Sequence, residues 1–346
     1  MSSSQYQREP ELGDGLRLHL NENTAGCSPA VLAALRAIEP QDTAFYPDYS
    51  AITAAAERWF DVPAGWVQLT NGLDEGLHVA AQAAARGRQG AAALIVDPAF
   101  EMYAACADAA GLSDIHIPPA SDLAFPLEAI LAAATSQVRL IYLTDPGNPT
   151  GLPIPAGAIE HLAAARPDTI VLVDEAYAEF SGRTVIPLLD QHRNLIVGRT
   201  FAKAHGLAAL RVGALIAHPE ALAPMRRLLP PYSLNICAVR ALAAALNDRD
   251  YVDWYVGQSR TSRDLLYDFF RARQITFWPS EANFVLARVG DDAQDIVAAM
   301  AARGILIRDR SNAPGCRGCV RITAGVVDHT RQCLAALEDI LATRGR

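Results

Sequence analysis

No stretch of this 346-residue sequence stays apolar over the roughly 18 residues that a membrane-spanning helix needs. The first residues, Met-Ser-Ser-Ser-Gln-Tyr, lack the basic and apolar segments of a secretory signal peptide. A basic excess is also lacking, because 30 Lys and Arg stand against 38 Asp and Glu, for a net charge of −8. Nucleic-acid surfaces rely on clustered Lys and Arg. We therefore expect a cytoplasmic protein that binds neither nucleic acid nor membrane.

Cysteine is sparse, with six scattered residues. In a cytosolic chain of this length we expect free thiols rather than disulfides. Cys316 and Cys319 form the one C-x-x-C pair, but no second pair and no histidine at ligand spacing accompany it. A zinc site needs such partners. The sequence therefore predicts no metal site, and it predicts a turn before a strand at this pair.

The remaining composition is that of a globular enzyme, with 51% hydrophobic and 20% charged residues. Apolar strands alternate with helices from about residue 66 to 216, which predicts an α/β fold whose mostly parallel sheet is covered on both faces. Beyond about residue 218, a long helical stretch precedes a few strands, which favours a smaller α+β lobe. We expect an arm and first helix at 1–40 grouped with the small domain, a large domain at 41–248 and the small domain at 249–346.

Several predicted strands are followed by one polar side chain of a distinct kind: Asn148, Asp174 with Tyr177, and Lys203, with Arg211 eight residues later. Ligands in open α/β sheets bind at the carboxyl ends of the strands. A lysine among apolar neighbours has a lowered pKa, and its neutral amine attacks carbonyl groups. Taken alone, each residue has a plainer interpretation: a surface lysine, a helix cap, a turn asparagine or a core tyrosine.

The segment Asn71-Gly72-Leu73-Asp74-Glu75 joins a predicted strand to a helix. Such a junction presents backbone N–H groups at a helix N-terminus, which is a natural phosphate site. A lysine, an acid on a buried strand, two hydrogen-bonding side chains and a phosphate site together describe a pyridoxal phosphate pocket. The combination is far more specific than any single member.

These motifs resemble fold type I aminotransferases of class I and II, most closely the histidinol-phosphate aminotransferase group. The likeness covers nearly the whole chain and rests on these segments: L-N-E-N (20–23), Y-P-D (46–48), N-G-L-D-E (71–75), P-A-F-E-M-Y (98–103), N-P-T-G (148–151), V-D-E-A-Y (173–177), K-A-H-G-L-A-A-L-R-V-G (203–213), S-E-A-N-F (280–284), I-R-D-R (307–310) and C-V-R-I-T-A-G (319–325). The resemblance implies the fold type I architecture, a large mostly parallel sheet domain and a small α+β domain.

The resemblance also implies roles in cofactor chemistry. Lys203 would bond covalently to the pyridoxal phosphate aldehyde and then move the substrate proton. Asp174 would pair with the pyridine nitrogen, and Tyr177 and Asn148 would hydrogen-bond the ring oxygen. The cofactor phosphate would be held by the side chains of Thr200 and Arg211 and by the backbone N–H groups of Leu73 and Asp74. Phe100 would stack on the ring.

Further roles concern assembly and substrate. Tyr46 resembles the tyrosine that a neighbouring subunit contributes to the cofactor phosphate, which implies a homodimer. Arg308 and Arg321 match the two arginines that the family uses on substrate anions, and Asn23 and Tyr6 are candidate further contacts. The substrates implied are a small amino donor and a 2-oxo acid, namely 2-oxoglutarate.

Three functions remain open at this point. The first is transamination of histidinol phosphate or of another amino compound in a paralogous pathway. The second is decarboxylation of the threonine-phosphate type at the same pocket. The third is a pyridoxal-phosphate-binding regulator, which would need a DNA-binding extension. Departures from the family pattern, among them Thr24 for Pro, Ala202 for Ser and Phe100 for Tyr, remove no catalytic group but bear on the substrate.

Overall fold

The computed structural model describes residues 15–344, and within them the chain forms α-helices and β-strands throughout. The helices are α1 Pro29–Arg36, α2 Pro40–Ala44, α3 Ser50–Phe60, α4 Gly72–Ala85, α5 Met102–Ala109, α6 Leu127–Ala133, α7 Ala158–Ala165, α8 Ala178–Ser181, α9 Pro219–Arg226, α10 Ile236–Leu246, α11 Arg249–Ala272, α12 Ala293–Ala301 and α13 Val327–Ala342. The strands are β1 Leu16–Arg17, β2 Val67–Thr70, β3 Ala92–Val96, β4 Ser113–Ile117, β5 Val138–Thr144, β6 Ile170–Asp174, β7 Leu195–Thr200, β8 Gly213–Ile216, β9 Thr276–Trp278, β10 Phe284–Arg288, β11 Ile305–Leu306, β12 Arg308–Asp309 and β13 Cys319–Thr323.

The large sheet has seven strands in the order β2-β8-β7-β6-β5-β3-β4. Strand β8 is antiparallel to both of its neighbours, and the other pairs along β7-β6-β5-β3-β4 are parallel. The mostly parallel sheet is therefore confirmed. Strand β8 runs in reverse because only a loop, and no crossover helix, separates it from β7. That loop carries Lys203 and Arg211, so both residues stay at one edge of the sheet.

Both faces of this sheet are buried, which the alternating side chains of β5 illustrate. Ile141 and Leu143 belong to a core that also contains residues of α1, α3, α7 and α10. Leu140 and Tyr142 belong to a second core that contains residues of α4, α5 and α9. Successive side chains of a strand point to opposite faces, so near-continuous apolar strands are what a doubly covered sheet requires.

A second, antiparallel sheet has the order β12-β13-β10-β9. Its inner residues form a third core with α11, α12 and α13. Strand β1 of the N-terminal arm pairs in parallel with β11, and Leu18 is buried in this same core. In register, Arg308 of β12 lies opposite Arg321 of β13.

Helix α1 packs differently from the sequence expectation, which groups it with the small domain. Val31 is completely buried in the first core, beside residues of α10, and Leu35 packs against that core. These two positions are four apart and so share one helix face, which meets the alanine-rich α10. The first helix is thus attached to the large sheet, whereas β1 pairs with β11 and Leu18 after it lies in the third core.

Local differences from the sequence prediction have physical causes. Strand β4 was not predicted because it is an edge strand whose Ser113, Asp114 and His116 are not buried. Ser50 is the first helical residue of α3, and Asp48 Oδ1 accepts from its N–H at 2.9 Å. The predicted turn at Cys316–Cys319 is present, with the Cys319 N–H donating to the Cys316 carbonyl at 2.9 Å. No helix in residues 15–344 combines the length and apolarity needed to cross a bilayer.

Candidate active site

The carboxyl edge of the large sheet gathers the predicted cofactor residues. Strands β2, β5, β6 and β7 end at this edge, and the antiparallel β8 begins there. Asn148 follows β5, Asp174 ends β6, and the loop from β7 to β8 holds Lys203 and Arg211. The N-terminus of α4 follows β2 at the same edge. The topology therefore brings together residues that lie up to about 140 positions apart in sequence.

Lys203 stands between the buried Ala202 and Ala204, and its Nζ donates to the Leu20 carbonyl at 3.0 Å. Desolvation lowers the pKa of Lys203 to about 8, and the nearby positive charge of Arg321 adds to this effect. A substantial fraction of this amine is neutral near physiological pH, which is what a nucleophile toward an aldehyde requires. Lys203 is also the only lysine in the sequence, a signal that would have singled it out before any motif was considered.

Asp174 is almost fully buried, and both of its carboxylate oxygens are bonded. Oδ1 accepts from the Ala176 N–H at 2.9 Å, and Oδ2 accepts from the Tyr103 hydroxyl at 2.8 Å. Desolvation raises the pKa of Asp174 to about 6, against the two hydrogen bonds, which lower it. A buried carboxyl whose donors in the described part of the chain are a tyrosine and a backbone N–H fits pairing with a protonated pyridine nitrogen.

Tyr177 comes shortly after Asp174, Asn148 follows the neighbouring strand β5, and each already has one polar partner. The Tyr177 hydroxyl accepts from Asn21 Nδ2 at 3.0 Å. Asn148 Oδ1 accepts from Nη1 of Arg321, which turns the amide donor Nδ2 away from Arg321. Both residues thus retain a proton to donate to an anionic ring oxygen.

The start of α4 forms the candidate phosphate cradle. Gly72 has φ of +74°, a left-handed conformation that favours glycine, and a Cβ there would contact the Arg211 guanidinium. Arg211 Nη2 donates to Asp74 Oδ2 at 2.8 Å, an exposed ion pair at the helix N-terminus. Thr200 Oγ1 accepts from the Ala202 N–H at 3.2 Å. An arginine, a hydroxyl and the first N–H groups of a helix are donors that fit a phosphate.

These observations together fit pyridoxal phosphate. A lysine with a lowered pKa, a buried carboxyl and the candidate phosphate cradle that begins at Gly72 lie at one edge of the sheet. Phe100 follows β3 at the same edge, and its ring meets that of Tyr103 edge-on at 5.9 Å between centroids. Within residues 15–344 there is no cluster of three metal-ligating His, Cys, Asp or Glu side chains.

The two predicted substrate arginines differ in their surroundings. Arg321 is buried, and it donates to Asn148 Oδ1 and, at 2.6 Å, to the His19 carbonyl. Desolvation lowers the pKa of Arg321 to about 10, and Arg310 and Arg308 contribute further positive charge. Arg308 is half-buried and lies opposite Arg321 across the strand pair.

The other predicted contacts lie elsewhere or are engaged. Asn23 is buried, and its amide bonds backbone groups on both sides, the Ala204 carbonyl at 2.9 Å and the Ala25 N–H at 2.9 Å. The Asn23 amide therefore supports the segment after Lys203 and has its oxygen and one N–H engaged. Tyr46 is 77% exposed and stacks on Tyr232 at 4.2 Å between ring centroids. Tyr6 lies outside the described residues.

Sequence reasoning missed three residues of the site. The Tyr103 hydroxyl bonds both Asp174 and Thr144. Asn21 donates to the Tyr177 hydroxyl. Asn21 stands in the quoted L-N-E-N motif, where its φ of +56° is a backbone signal that sequence does not show. Tyr103 stands in the quoted P-A-F-E-M-Y motif but is indistinguishable there from a core aromatic.

Comparison with known proteins agrees with this geometry. The model of the family "Aminotransferase class I and II" matches residues 13–337. Histidinol-phosphate aminotransferase 2 of Ralstonia nicotianae is 36% identical over 337 residues, covering 94% of this chain and 89% of that protein. Histidinol-phosphate aminotransferase of Symbiobacterium thermophilum is 33% identical over 340 residues, covering 97% and 93%.

Solved structures are similar over the same extent. Histidinol-phosphate aminotransferase from Sinorhizobium meliloti, solved in complex with pyridoxal-5'-phosphate, has a TM-score of 0.84 at 27% identity and covers 95% of this chain and 91% of that chain. L-threonine-O-3-phosphate decarboxylase from Porphyromonas gingivalis has a TM-score of 0.80 at 22% identity, covering 94% and 99%. The second likeness shows the fold alone.

Proposed function

The chain belongs to the class I and II aminotransferase family and is a pyridoxal-phosphate-dependent aminotransferase, and on this premise we propose that it transfers the amino group of histidinol phosphate, or of a related amino acid, to 2-oxoglutarate. The observation that carries the proposal is the pair of arginines, Arg308 and Arg321, facing each other on β12 and β13. The bond from Arg321 to Asn148 ties this pair to the cofactor residues. A substrate with an amine and an anionic group suits such a site.

Bound pyridoxal phosphate supplies the electron sink that stabilises negative charge at the substrate carbon bearing the amine. Lys203 would hold the cofactor through its amine; once the substrate amine has displaced it, Lys203 would take the proton from that carbon and deliver it to the former aldehyde carbon of the cofactor. Asp174, enclosed and ionised, pairs with the ring nitrogen. Arg211, Thr200 and the N–H groups of Leu73 and Asp74 hold the phosphate, in place of the present Arg211–Asp74 pair.

Other residues position the ring and the substrate. Tyr177 and Asn148 donate to the ring oxygen and thereby stabilise its anion. Phe100 packs on the ring face. Arg321 binds the α-carboxylate of glutamate in one half-reaction, while Arg308 binds the phosphate of histidinol phosphate in the other. Planar guanidinium groups bind both kinds of oxyanion in a bidentate manner.

The assembly that we propose is a homodimer. Tyr46 and Tyr232 are among the most exposed large side chains of the described residues, and they stack on each other at the surface. An exposed aromatic pair is typical of a protein interface. In the dimer, Tyr46 would reach the cofactor phosphate of the partner subunit. The division into domains at 41–248 and 249–346, and a cytoplasmic location, remain predictions from the sequence.

A decarboxylase of the threonine-phosphate type is not the function that we propose. Its structural likeness to this chain shows the fold alone, whereas the curated relatives above are aminotransferases. The two reactions differ in which bond of the substrate carbon is cleaved, so their products distinguish them directly.

A comparison of amino donors tests the proposal. The holoenzyme is incubated with 2-oxoglutarate and histidinol phosphate, histidinol, aspartate or threonine phosphate, and glutamate formation is measured. We expect kcat/KM to be highest for histidinol phosphate and at least about tenfold lower for histidinol, since it lacks the charge-assisted contact to arginine. Carbon dioxide release from threonine phosphate without glutamate formation would overturn the proposal.

A further inference from the structure

Tyr103 connects the buried Asp174 to a third polar residue. Its hydroxyl donates to Asp174 Oδ2 at 2.8 Å and lies 2.7 Å from Thr144 Oγ1. Tyr103 is 1% exposed, and its ring is stacked on that of Tyr142, with centroids 4.8 Å apart. The hydroxyl is therefore fixed in place by the packing of its own ring.

The number of hydroxyl protons available determines the direction of the two hydrogen bonds of Tyr103, to Thr144 and to Asp174. A phenol has a single hydroxyl proton, and Tyr103 uses it on Asp174. The contact between Tyr103 and Thr144 then requires that Thr144 donates and the tyrosine oxygen accepts. The sequence of donors is Thr144 to Tyr103 to Asp174, and it ends on a carboxylate that can only accept while it is ionised.

The other oxygen of Asp174 is fixed from the opposite side. Oδ1 accepts from the Ala176 N–H at 2.9 Å, so the plane of the carboxylate is determined by two donors. The other charged or titratable groups that act on Asp174 are Asp74 of α4, Lys203 of the β7–β8 loop and Tyr177. Asp74 opposes ionisation and Lys203 favours it. Within residues 15–344, Tyr103 is the side chain that donates to the carboxylate.

We propose that Tyr103, supported by Thr144, is a positioning residue that keeps Asp174 ionised and oriented for the cofactor ring nitrogen. This inference rests on the proposed role of Asp174. Tyr103 itself acts through Asp174. Its loss removes a side-chain donor that opposes the burial of a negative charge, and burial alone favours the neutral acid.

The test uses Tyr103→Phe with Tyr142→Phe as a matched control. Tyr142 is an equally buried tyrosine that stacks on Tyr103, but its hydroxyl donates to the Leu77 carbonyl, 2.9 Å away, instead of to Asp174. For each full-length variant, the dissociation constant of pyridoxal phosphate is measured by fluorescence titration of the cofactor-depleted protein between pH 5 and 8. Turnover of the holoenzyme is followed over the same range.

Removing Tyr103's hydroxyl should weaken cofactor binding by about ten- to a hundredfold at the acid end, the usual cost of losing a hydrogen bond to a charged group. Because the bond favours the ionised acid, its loss raises the pKa of Asp174. The acid limb, which is the loss of binding and turnover as the pH falls, should then have its midpoint about one to two pH units higher. Tyr142→Phe should leave the acid limb in place. Equal acid limbs in the wild type and in Tyr103→Phe would overturn the proposal.

Two further variants make the result unambiguous. Thr144→Val keeps the side-chain volume and removes only the donor to Tyr103, so it should shift the acid limb in the same direction by a smaller amount. This variant decides the question if Tyr103→Phe does not fold, and an unshifted limb would then contradict the proposal. In an Asp174→Asn background, Tyr103→Phe should have no further effect on the acid limb.

The same series separates this inference from the function on which it rests. If Asp174→Asn impairs binding and turnover while Tyr103→Phe and Thr144→Val leave the acid limb unchanged, only the role of Tyr103 is wrong. If Asp174→Asn binds and turns over like the wild type, the proposed role of Asp174 is wrong, and the inference about Tyr103 is wrong with it.

Discussion

Arg321 donates from Nη1 to Oδ1 of Asn148, so a guanidinium assigned to the substrate anion is bonded to an amide assigned to the cofactor ring. Arg321 belongs to β13 of the small antiparallel sheet, and Asn148 follows β5 of the large one. The bond fixes the orientation of both side chains before any ligand arrives. Because the Asn148 oxygen accepts from Arg321, the amide Nδ2 is left to donate to another acceptor, and the ring oxygen of the cofactor needs such a donor.

The first prediction concerns the covalent link. Lys203→Ala should abolish turnover, because no other residue of the chain carries a side-chain amine. Borohydride reduction of the wild-type holoenzyme followed by peptide mapping should place the cofactor label on Lys203. The N-terminal amine is the one competing primary amine in the polypeptide, and a label found only there would contradict the assignment.

The second prediction concerns the protonation of Lys203. Its pKa of about 8 lies below the ordinary value of 10.5, so the amine is protonated below about pH 8 and neutral above it. In the cofactor-depleted protein, the rate of acylation at Lys203 should therefore rise through about pH 8. Arg321→Gln removes a positive charge that lowers this pKa, and should move the midpoint upward. Peptide mapping separates Lys203 from the N-terminal amine, and a wild-type midpoint near 10.5 would exclude the desolvated environment.

A third prediction concerns Asp174. Asp174→Asn should reduce kcat by about 100-fold or more, because an amide cannot form an ion pair with the ring nitrogen. Asparagine is nearly the same size as aspartate, so we expect the variant to fold, and its thermal unfolding serves as a control for folding. Near-normal kcat in a folded variant would mean that Asp174 only orders the turn through its bond to the Ala176 N–H.

The fourth prediction concerns assembly. Lys203→Ala alone should be inactive, and Tyr46→Ala alone should have reduced turnover at limiting cofactor. Co-expression of the two should restore about a quarter of wild-type activity, since half of the dimers are mixed and each mixed dimer has one intact site. Light scattering should show a dimer throughout. Failure of the mixture to exceed both single variants would place Tyr46 outside the partner's site.

The fifth prediction separates the two substrate arginines. Each bidentate contact should contribute about 1.5–3 kcal/mol to binding. Arg321→Ala should impair single-turnover absorbance changes with both glutamate and histidinol phosphate, whereas Arg308→Ala should mainly impair histidinol phosphate. Arg321→Lys should restore little, because an ammonium group lacks the planar fork. Equal and small effects of both alanine variants on both substrates would put the arginines outside the pocket.

Much of the large sheet could be predicted because its strands are short apolar runs between clear helix signals. Strands β3, β5 and β6 are runs of this kind. Strand β4 could not be predicted, since an edge strand exposes polar side chains and carries little apolar pattern. The continuous segment 305–309 divides between β11 and β12, which belong to different sheets, and only tertiary pairing determines that division.

In the site, too, some features could be predicted from the sequence and others could not. Lys203, Asp174, Asn148 and Arg211 follow strand ends, where sequence and topology together indicate a ligand site. Each of them has a side-chain hydrogen bond to a residue distant in sequence, and Tyr103, for example, bonds to Asp174 across 71 positions. The replacement of the family's proline by Thr24 also becomes understandable, since its hydroxyl accepts from the Val326 N–H at 2.9 Å at the start of α13. No local pattern contains such pairings.

The central claim is transamination of histidinol phosphate with 2-oxoglutarate, and transfer of a labelled nitrogen tests it most directly. The purified holoenzyme is supplied with histidinol phosphate carrying ¹⁵N at the amino group and with unlabelled 2-oxoglutarate, and the products are followed by NMR. The account predicts ¹⁵N-glutamate in equal amount to the ketone formed, and none with Lys203→Ala. Consumption of the donor without ¹⁵N-glutamate, or no consumption by a holoenzyme that transaminates another donor, would contradict it.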